Sequence, residues 1–222
     1  MILIYMLGTD GAGKTTVAQR IAGEPCNGAR ITYLYGQFYP ILMRPVKWAV
    51  QRFVLKGTNQ FRGYSEYQER KRSISTKRRL LSRLYCLGLY LDHGLQLLFK
   101  ITLARLRNKY VILDRYYLDA VVNAGVIQNN GPDEMLRDAK IFEKILPKAS
   151  LHIFLDVSQE IAFSRKTDIP SVAYLGERKL RYEFLGRHYQ FVRIDADRKL
   201  KEVLTETDQV IRERLFSSSA WV

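Results

Sequence analysis

One run of eight residues constrains this chain more than any other: Gly8-Thr9-Asp10-Gly11-Ala12-Gly13-Lys14-Thr15, directly after the apolar segment Ile2 to Leu7. Gly8 and Gly13 bracket a loop that must curl until successive backbone N–H groups point at one centre. Glycine permits the curl because it accepts positive φ and leaves room beside the backbone. A helix starting near Gly13 aims its amide dipole at the same centre, so that centre is an anion. Lys14 then reaches the outer phosphates of a nucleotide, and the Thr15 hydroxyl serves a magnesium ion. Strand, loop and helix in this order predict a phosphate loop made by Gly8, Gly11, Ala12, Gly13, Lys14, Thr15 and Thr16, with ATP and Mg2+ as ligands.

The remainder of the chain alternates short apolar, β-branched or aromatic runs with longer helical patterns, which predicts a parallel sheet wrapped by helices. Strands are expected over Ile2 to Leu7, Ile31 to Tyr35, Tyr110 to Leu113, Leu151 to Leu155 and Phe191 to Ile194. All are nearly continuous in apolar residues, as strands covered on both faces are. Helices are expected at Gly13 to Ala22, Lys77 to Arg107, Tyr117 to Val126, Pro132 to Leu146, Gln159 to Lys166, Ser171 to Arg187 and Lys199 to Leu215. The second and third strands stand much further apart than one crossover helix requires. The surplus, residues 36–108, reads as an inserted helical region for a second substrate or as a dimerisation arm.

Composition narrows the partners. Lys plus Arg total 36 against 22 Asp plus Glu, a formal charge of +14 over 222 residues, so partners are anionic: nucleotide, nucleic acid or acidic lipid. Cys26 and Cys86 have neither disulfide nor metal-ligand spacing, which suits a reducing compartment. A cleavable leader would have to include the glycine loop itself, and the uncharged stretches Leu84 to Leu91 and His93 to Phe99 are too short to span a bilayer. A cytoplasmic protein without a membrane span is the expectation.

The loop alone does not choose among kinases, switches and DNA-dependent ATPases. A second motif does more. Leu113-Asp114-Arg115-Tyr116 ends an apolar strand, which brings a carboxylate to the sheet edge beside the phosphate loop, where it can hold the metal or its waters. Hydrolytic ATPases more often follow this Asp with Glu. Here Arg115 offers a cation for a second phosphate. The alternative for the pair is a helix cap and a local ion pair.

These motifs resemble those of the thymidylate kinase family of nucleoside monophosphate kinases. The loop with its internal Asp10, and Asp114-Arg115-Tyr116 against the family's Asp-Arg-Tyr/His, carry the resemblance. Leu155-Asp156-Val157 is similar to the entry to its lid, and Ile194-Asp195-Ala196 to the loop beside adenine. The resemblance implies one P-loop kinase domain over residues 1–222, with a five-stranded parallel sheet, a helical acceptor-binding region at 36–108, a short lid at 164–177 and a mobile tail at 217–222. It implies transfer of the ATP γ-phosphoryl group to a nucleoside monophosphate, dTMP foremost. Asp10 would contact the acceptor, Asp114 the metal with Thr15, Arg115 the acceptor phosphate, and Asp195 and Ala196 the nucleotide base. Tyr116 follows as an acceptor contact.

A loose transition state needs a cation that arrives on closure, and the loop offers only Lys14. Arg165 in the lid is the expected source, with Arg178 behind it. Phe38-Tyr39-Pro40 with Arg44 is loosely similar to the family's Phe-Pro-x-Arg element, which makes Arg44 an acceptor candidate. Asp92-His93 stands where the family carries Asp-Arg, so His93 is another, although a lone histidine on an apolar helix is more often packed. Asp119, Val122, Asn123 and Ala124 also depart from the family pattern; Asp119 is either a base for a hydroxyl acceptor or a cap.

Between Arg62 and Arg83 there are eight basic residues and two acidic ones, which fits a polyanion or a solvated helix face. The following helix carries Leu80, Leu84, Leu87, Leu91, Leu95 and Leu98 in three- and four-residue steps, widened by Tyr90, Leu97 and Ile101, read mainly as core, with a homodimer contact as the second possibility. Two further readings stay open: a kinase for another nucleotide, nucleoside or hydroxylated acceptor, and a nucleic-acid-stimulated ATPase. Nucleic-acid binding is not expected, because no module for it is present.

Overall fold

Why the first strand lies at the centre of the molecule is visible in its residues: five of the six in Ile2–Leu7 are buried, as a strand with neighbours on both edges and helices on both faces requires. The computed structural model describes residues 2–23, 30–54, 66, 69, 72–73, 77, 79–107 and 109–215. Strands β1 (Ile2–Leu7), β2 (Ile31–Tyr35), β3 (Tyr110–Asp114), β4 (Leu151–Asp156) and β5 (Val192–Asp195) form one parallel sheet in the order β2-β3-β1-β4-β5. The chain leaves β1 toward one side and later fills the other, so the switch point lies at the carboxyl end of β1. Ligands of open α/β sheets bind in that crevice.

Two cores cover the sheet. On one face α3 (Arg79–Arg107), α4 (Tyr117–Gln128), α5 (Pro132–Glu143) and α7 (Val172–Tyr189) pack Tyr90, Leu97, Val121, Phe142 and Tyr182 onto Tyr5 and Phe154. On the other, α1 (Lys14–Gly23), α6 (Gln159–Ser164) and α8 (Leu200–Leu215) pack Val17, Ala162 and Ile211 onto Ile4, Met6 and Ile153. The five expected strands and seven helices are present, with every end within three residues of its expected place. A further helix, α2 (Arg44–Ala49), was missed; it has Pro45 in its first turn and runs on as a π-helical stretch over Val50–Val54. Among the described residues no helix is long and apolar enough to cross a membrane.

The long helix α3 corrects one expectation. Leu80, Leu84, Leu87, Leu91 and Leu95 are not core; they stand 38–73% exposed. The buried stripe is Cys86, Tyr90, His93, Leu97, Ile101 and Ala104, which keeps the same three- and four-residue steps on another face. A third line of the helix grips the segment after β2. Met43 lies against the bare backbone of Gly88, Asp92 accepts from Ile41 N (2.8 Å) and Met43 N (3.0 Å), Gln96 donates to Tyr39 O (2.9 Å) and Lys100 to Tyr35 O (3.1 Å). Positions 88, 92, 96 and 100 thus fasten residues 35–43 along four successive turns.

Most of the basic run between Arg62 and Arg83 lies outside the described residues, as do Cys26 and residues 217–222. Within the run, Arg72 pairs with Glu177 and Arg79 with Glu134, each at 2.6 Å.

Candidate active site

The loop after β1 takes positive φ at Gly8 (149°), Gly11 (86°) and Gly13 (86°). Gly11 has a second reason to be glycine: a Cβ there would lie 2.3 Å from the Ala162 carbonyl oxygen, so helix α6 rests directly on the loop. Lys14 is buried, and its ammonium donates to Gly8 O and Thr9 O, both at 2.8 Å. Burial and the neighbouring Arg115 charge push Lys14 down to about 8, against the opposing pull of Asp10, Asp119 and Asp114. This is a cation short of a counter-charge, and a polyphosphate supplies one.

One strand over, Asp114 ends β3 at zero exposure. Its Oδ2 accepts from Thr15 Oγ1 (2.5 Å) and from Tyr33 OH (3.1 Å), while its buried Oδ1 meets no donor among the described residues. An orphaned buried carboxylate oxygen beside a threonine hydroxyl is a hard-oxygen set that fits magnesium held partly by phosphates. Arg115 follows with φ 70°, an uncommon conformation for a residue with a side chain, in which its carbonyl approaches Gly36 so closely that a Cβ there would lie 1.9 Å away. The strained turn sends the guanidinium to Asp10, with which it forms an ion pair. Burial alone would raise the Asp10 carboxyl; Arg115 and Lys14 hold it well below the usual carboxylate range.

No protein-family model matches the chain. Probable thymidylate kinase 1 of Saccharolobus solfataricus is 33% identical over 114 residues, which span 48% of this chain and 56% of that relative. A probable thymidylate kinase of Archaeoglobus fulgidus is 30% identical over 96% of both chains. The chain belongs to the thymidylate kinase family.

In this thymidylate kinase family member, contacts gather Asp10, Lys14, Thr15, Asp114 and Arg115, all singled out in the sequence, around Gly8 to Gly13. Thr16 is exposed on the first turn of α1. Tyr116 is corrected as an acceptor contact: its ring is fully buried, its hydroxyl donates to Pro147 O (2.8 Å), and the residue caps α4. His93 is packed instead of presented. Its ring sits 4.9 Å from Phe38 and 6.1 Å from Phe142, and one nitrogen bonds the Tyr116 backbone. Burial pushes the imidazole down to about 4, so it is neutral. Arg44 opens α2 as an exposed side chain. Arg165, at the end of α6, donates to Ala196 O (3.0 Å), which ties it to the loop after β5. In that loop Ala196 N donates to Asp156 O, and Asp195 accepts from Asp197 N (3.0 Å). Asp119 is the cap and not a base, since it accepts from Tyr5 OH (2.5 Å), Tyr182 OH (2.6 Å) and Tyr116 N (2.8 Å).

Two site residues escaped the sequence reading. Tyr174, on the first turn of the lid-side helix α7, donates to Asp10 Oδ2 (3.0 Å). Arg178 one turn on lies 3.5 Å over the Tyr174 ring and bonds Asn123 on α4 (3.1 Å). Tyr33 on β2 reaches Asp114. Tyrosines in strands and amphipathic helices read as packing, and only the two carboxylates they meet reveal another use.

Proposed function

We propose that this chain phosphorylates thymidine monophosphate: an oxygen of its 5′-phosphate attacks the γ-phosphorus of ATP, the bond to the β-phosphate oxygen breaks, and dTDP and ADP leave. The observation that carries the reading is the ring of Lys14, Thr15, Asp114, Arg115 and Asp10 at the switch point, with two cations and one metal-ready carboxylate. Lys14 and the loop amides take the triphosphate. Thr15 and Asp114 would hold Mg2+, which when bound supplies positive charge to the β- and γ-phosphates. Arg115 takes the acceptor phosphate, and Asp10 aims it. A phosphate oxygen is already ionised at neutral pH and needs no base. That agrees with Asp119 being fully engaged as a cap and with Asp10 being too acidic to accept a proton.

The lid cation in this reading is Arg178, not Arg165. Arg178 approaches Asp10 through Tyr174, whereas Arg165 on the Ala196 carbonyl suits stacking on the adenine ring. His93 favours a second reading of the acceptor: a neutral, packed imidazole in place of a family arginine suits a different base. A coupled assay with ATP, Mg2+ and a panel of nucleoside monophosphates and nucleosides separates these. ADP release dependent on dTMP supports the proposal, dependence on another acceptor supports the second reading, and turnover indifferent to every acceptor removes both. The exposed leucines of α3 suit burial against a second copy of the chain, and Leu91→Glu is then expected to halve the mass measured by light scattering.

A further inference from the structure

The neighbouring strand β2 contributes a tyrosine to the metal side of the site, and the phosphotransfer reading gives it no task. β2 pairs with β3 so that Tyr33 lies beside Ile112 and Tyr35 beside Asp114. In a strand, residues two apart share a face, so Tyr33 and Asp114 project to the same side of the sheet, one step apart. The Tyr33 ring packs on the core beneath α1, and its hydroxyl, which could have pointed to water from the edge strand of the sheet, ends 3.1 Å from Asp114 Oδ2. A phenol facing a carboxylate oxygen is the donor of the pair.

Two hydroxyls therefore share one carboxylate oxygen. Thr15 Oγ1 is the other donor, and it has a second duty, because its own lone pairs belong to the metal. Tyr33 has none. With Oδ2 claimed twice, the Asp114 carboxylate cannot rotate freely, and the oxygen left to meet a ligand is Oδ1, buried and without a donor among the described residues. An unpaired buried carboxylate oxygen is unfavourable, and a bound cation or its water would relieve it. We propose that Tyr33 is a positioning residue for the metal: its hydroxyl locks Asp114 so that Oδ1 faces the divalent cation, and it keeps the lock when Thr15 turns to that cation. This rests on the phosphotransfer reading above. It adds a residue that no pattern in the sequence marks, since Tyr33 lies in a strand that reads as ordinary apolar packing.

The test uses the full chain and Mn2+ as a spin probe, titrated in the presence of ADP and followed by electron paramagnetic resonance. Tyr33→Phe keeps the ring and removes the donor. It is expected to weaken Mn2+ binding to the ADP-bound chain roughly 10-fold, in line with losses at residues that support metal ligands, and to leave metal-free ADP affinity and melting temperature unchanged. A structural role alone would move the last two and not the first. Tyr33→Leu, which deletes the hydroxyl in another shape, is expected to give the same loss of Mn2+ affinity. Asp114→Asn is the reference and must weaken Mn2+ more. Wild-type Mn2+ affinity in Tyr33→Phe, with loss in Asp114→Asn, overturns the positioning role and leaves the active-site reading standing. Unchanged affinity in both variants overturns the metal assignment of Asp114, and the role of Tyr33 with it.

Discussion

The phosphate loop and the segment proposed to face the acceptor are built by different means. On the phosphate side Gly8 to Thr15 and Asp114-Arg115 are short continuous motifs, and each side chain meets its partner across one strand spacing. On the proposed acceptor side residues 36–43 have no regular structure and, with the end of β2 at Tyr35, are held by α3 through Gly88, Asp92, Gln96 and Lys100. Backbone geometry dictates the first, so its residues are nearly irreplaceable. Packing dictates the second, so residues there can change while the shape persists.

The largest effect tests the phosphate side. Lys14→Ala should lower turnover roughly 1,000-fold, because a fixed cation aimed at developing charge is lost, while circular dichroism shows a folded chain. Retained turnover would end the contrast. Arg115→Ala should come next, raising the acceptor KM roughly 10- to 100-fold, the loss of a charge-assisted hydrogen bond, with ATP affinity little changed.

A pH titration sharpens the same side. The folded, nucleotide-free Lys14 titrates near 8 against 10.5 for the free side chain. Its pKa is depressed, so the unfolded chain binds more protons between those values, and stability without nucleotide should rise from pH 8 toward pH 10.5. ATP binding needs the ammonium, so affinity should instead fall above pH 8, with uptake of about one proton visible by calorimetry in buffers of different ionisation enthalpy. Flat affinity from pH 7 to pH 9.5 would mean that Lys14 is not desolvated.

The smallest functional effect belongs to the acceptor side. His93→Phe should leave acceptor KM within about threefold, because the ring is packing, whereas His93→Ala should cost about 2–4 kcal/mol of stability, as the loss of a buried ring does. A tenfold rise in KM for His93→Phe would return His93 to the substrate and break the division drawn here.

How far the sequence could be read follows the same line. β1, the loop, α1 and Asp114-Arg115 were legible because glycine spacing, apolar runs and charge report local backbone needs. All five strands were legible because a sheet covered on both faces demands unbroken apolar segments. The faces of α3 were not. Two apolar stripes with the same period run along it, and periodicity cannot say which one meets the sheet. The leucines looked like core together with Tyr90, Leu97 and Ile101; only those three, joined by His93, are core. Tyr174 and Tyr33 were illegible for a related reason: a hydroxyl at the end of a core ring has no signature until its partner is known. Arg165 was assigned by position in the chain, and its bond to Ala196 depends on how β5 ends.

The four-turn fastening of residues 35–43 has a consequence for motion. A coil held at every helical turn does not flutter by itself; it travels with the rod to which it is pinned. Its backbone amides at Ile41 and Met43, though they belong to no helix or strand, should exchange with deuterium as slowly as the adjoining turns of α3, and Asp92→Ala should release them together.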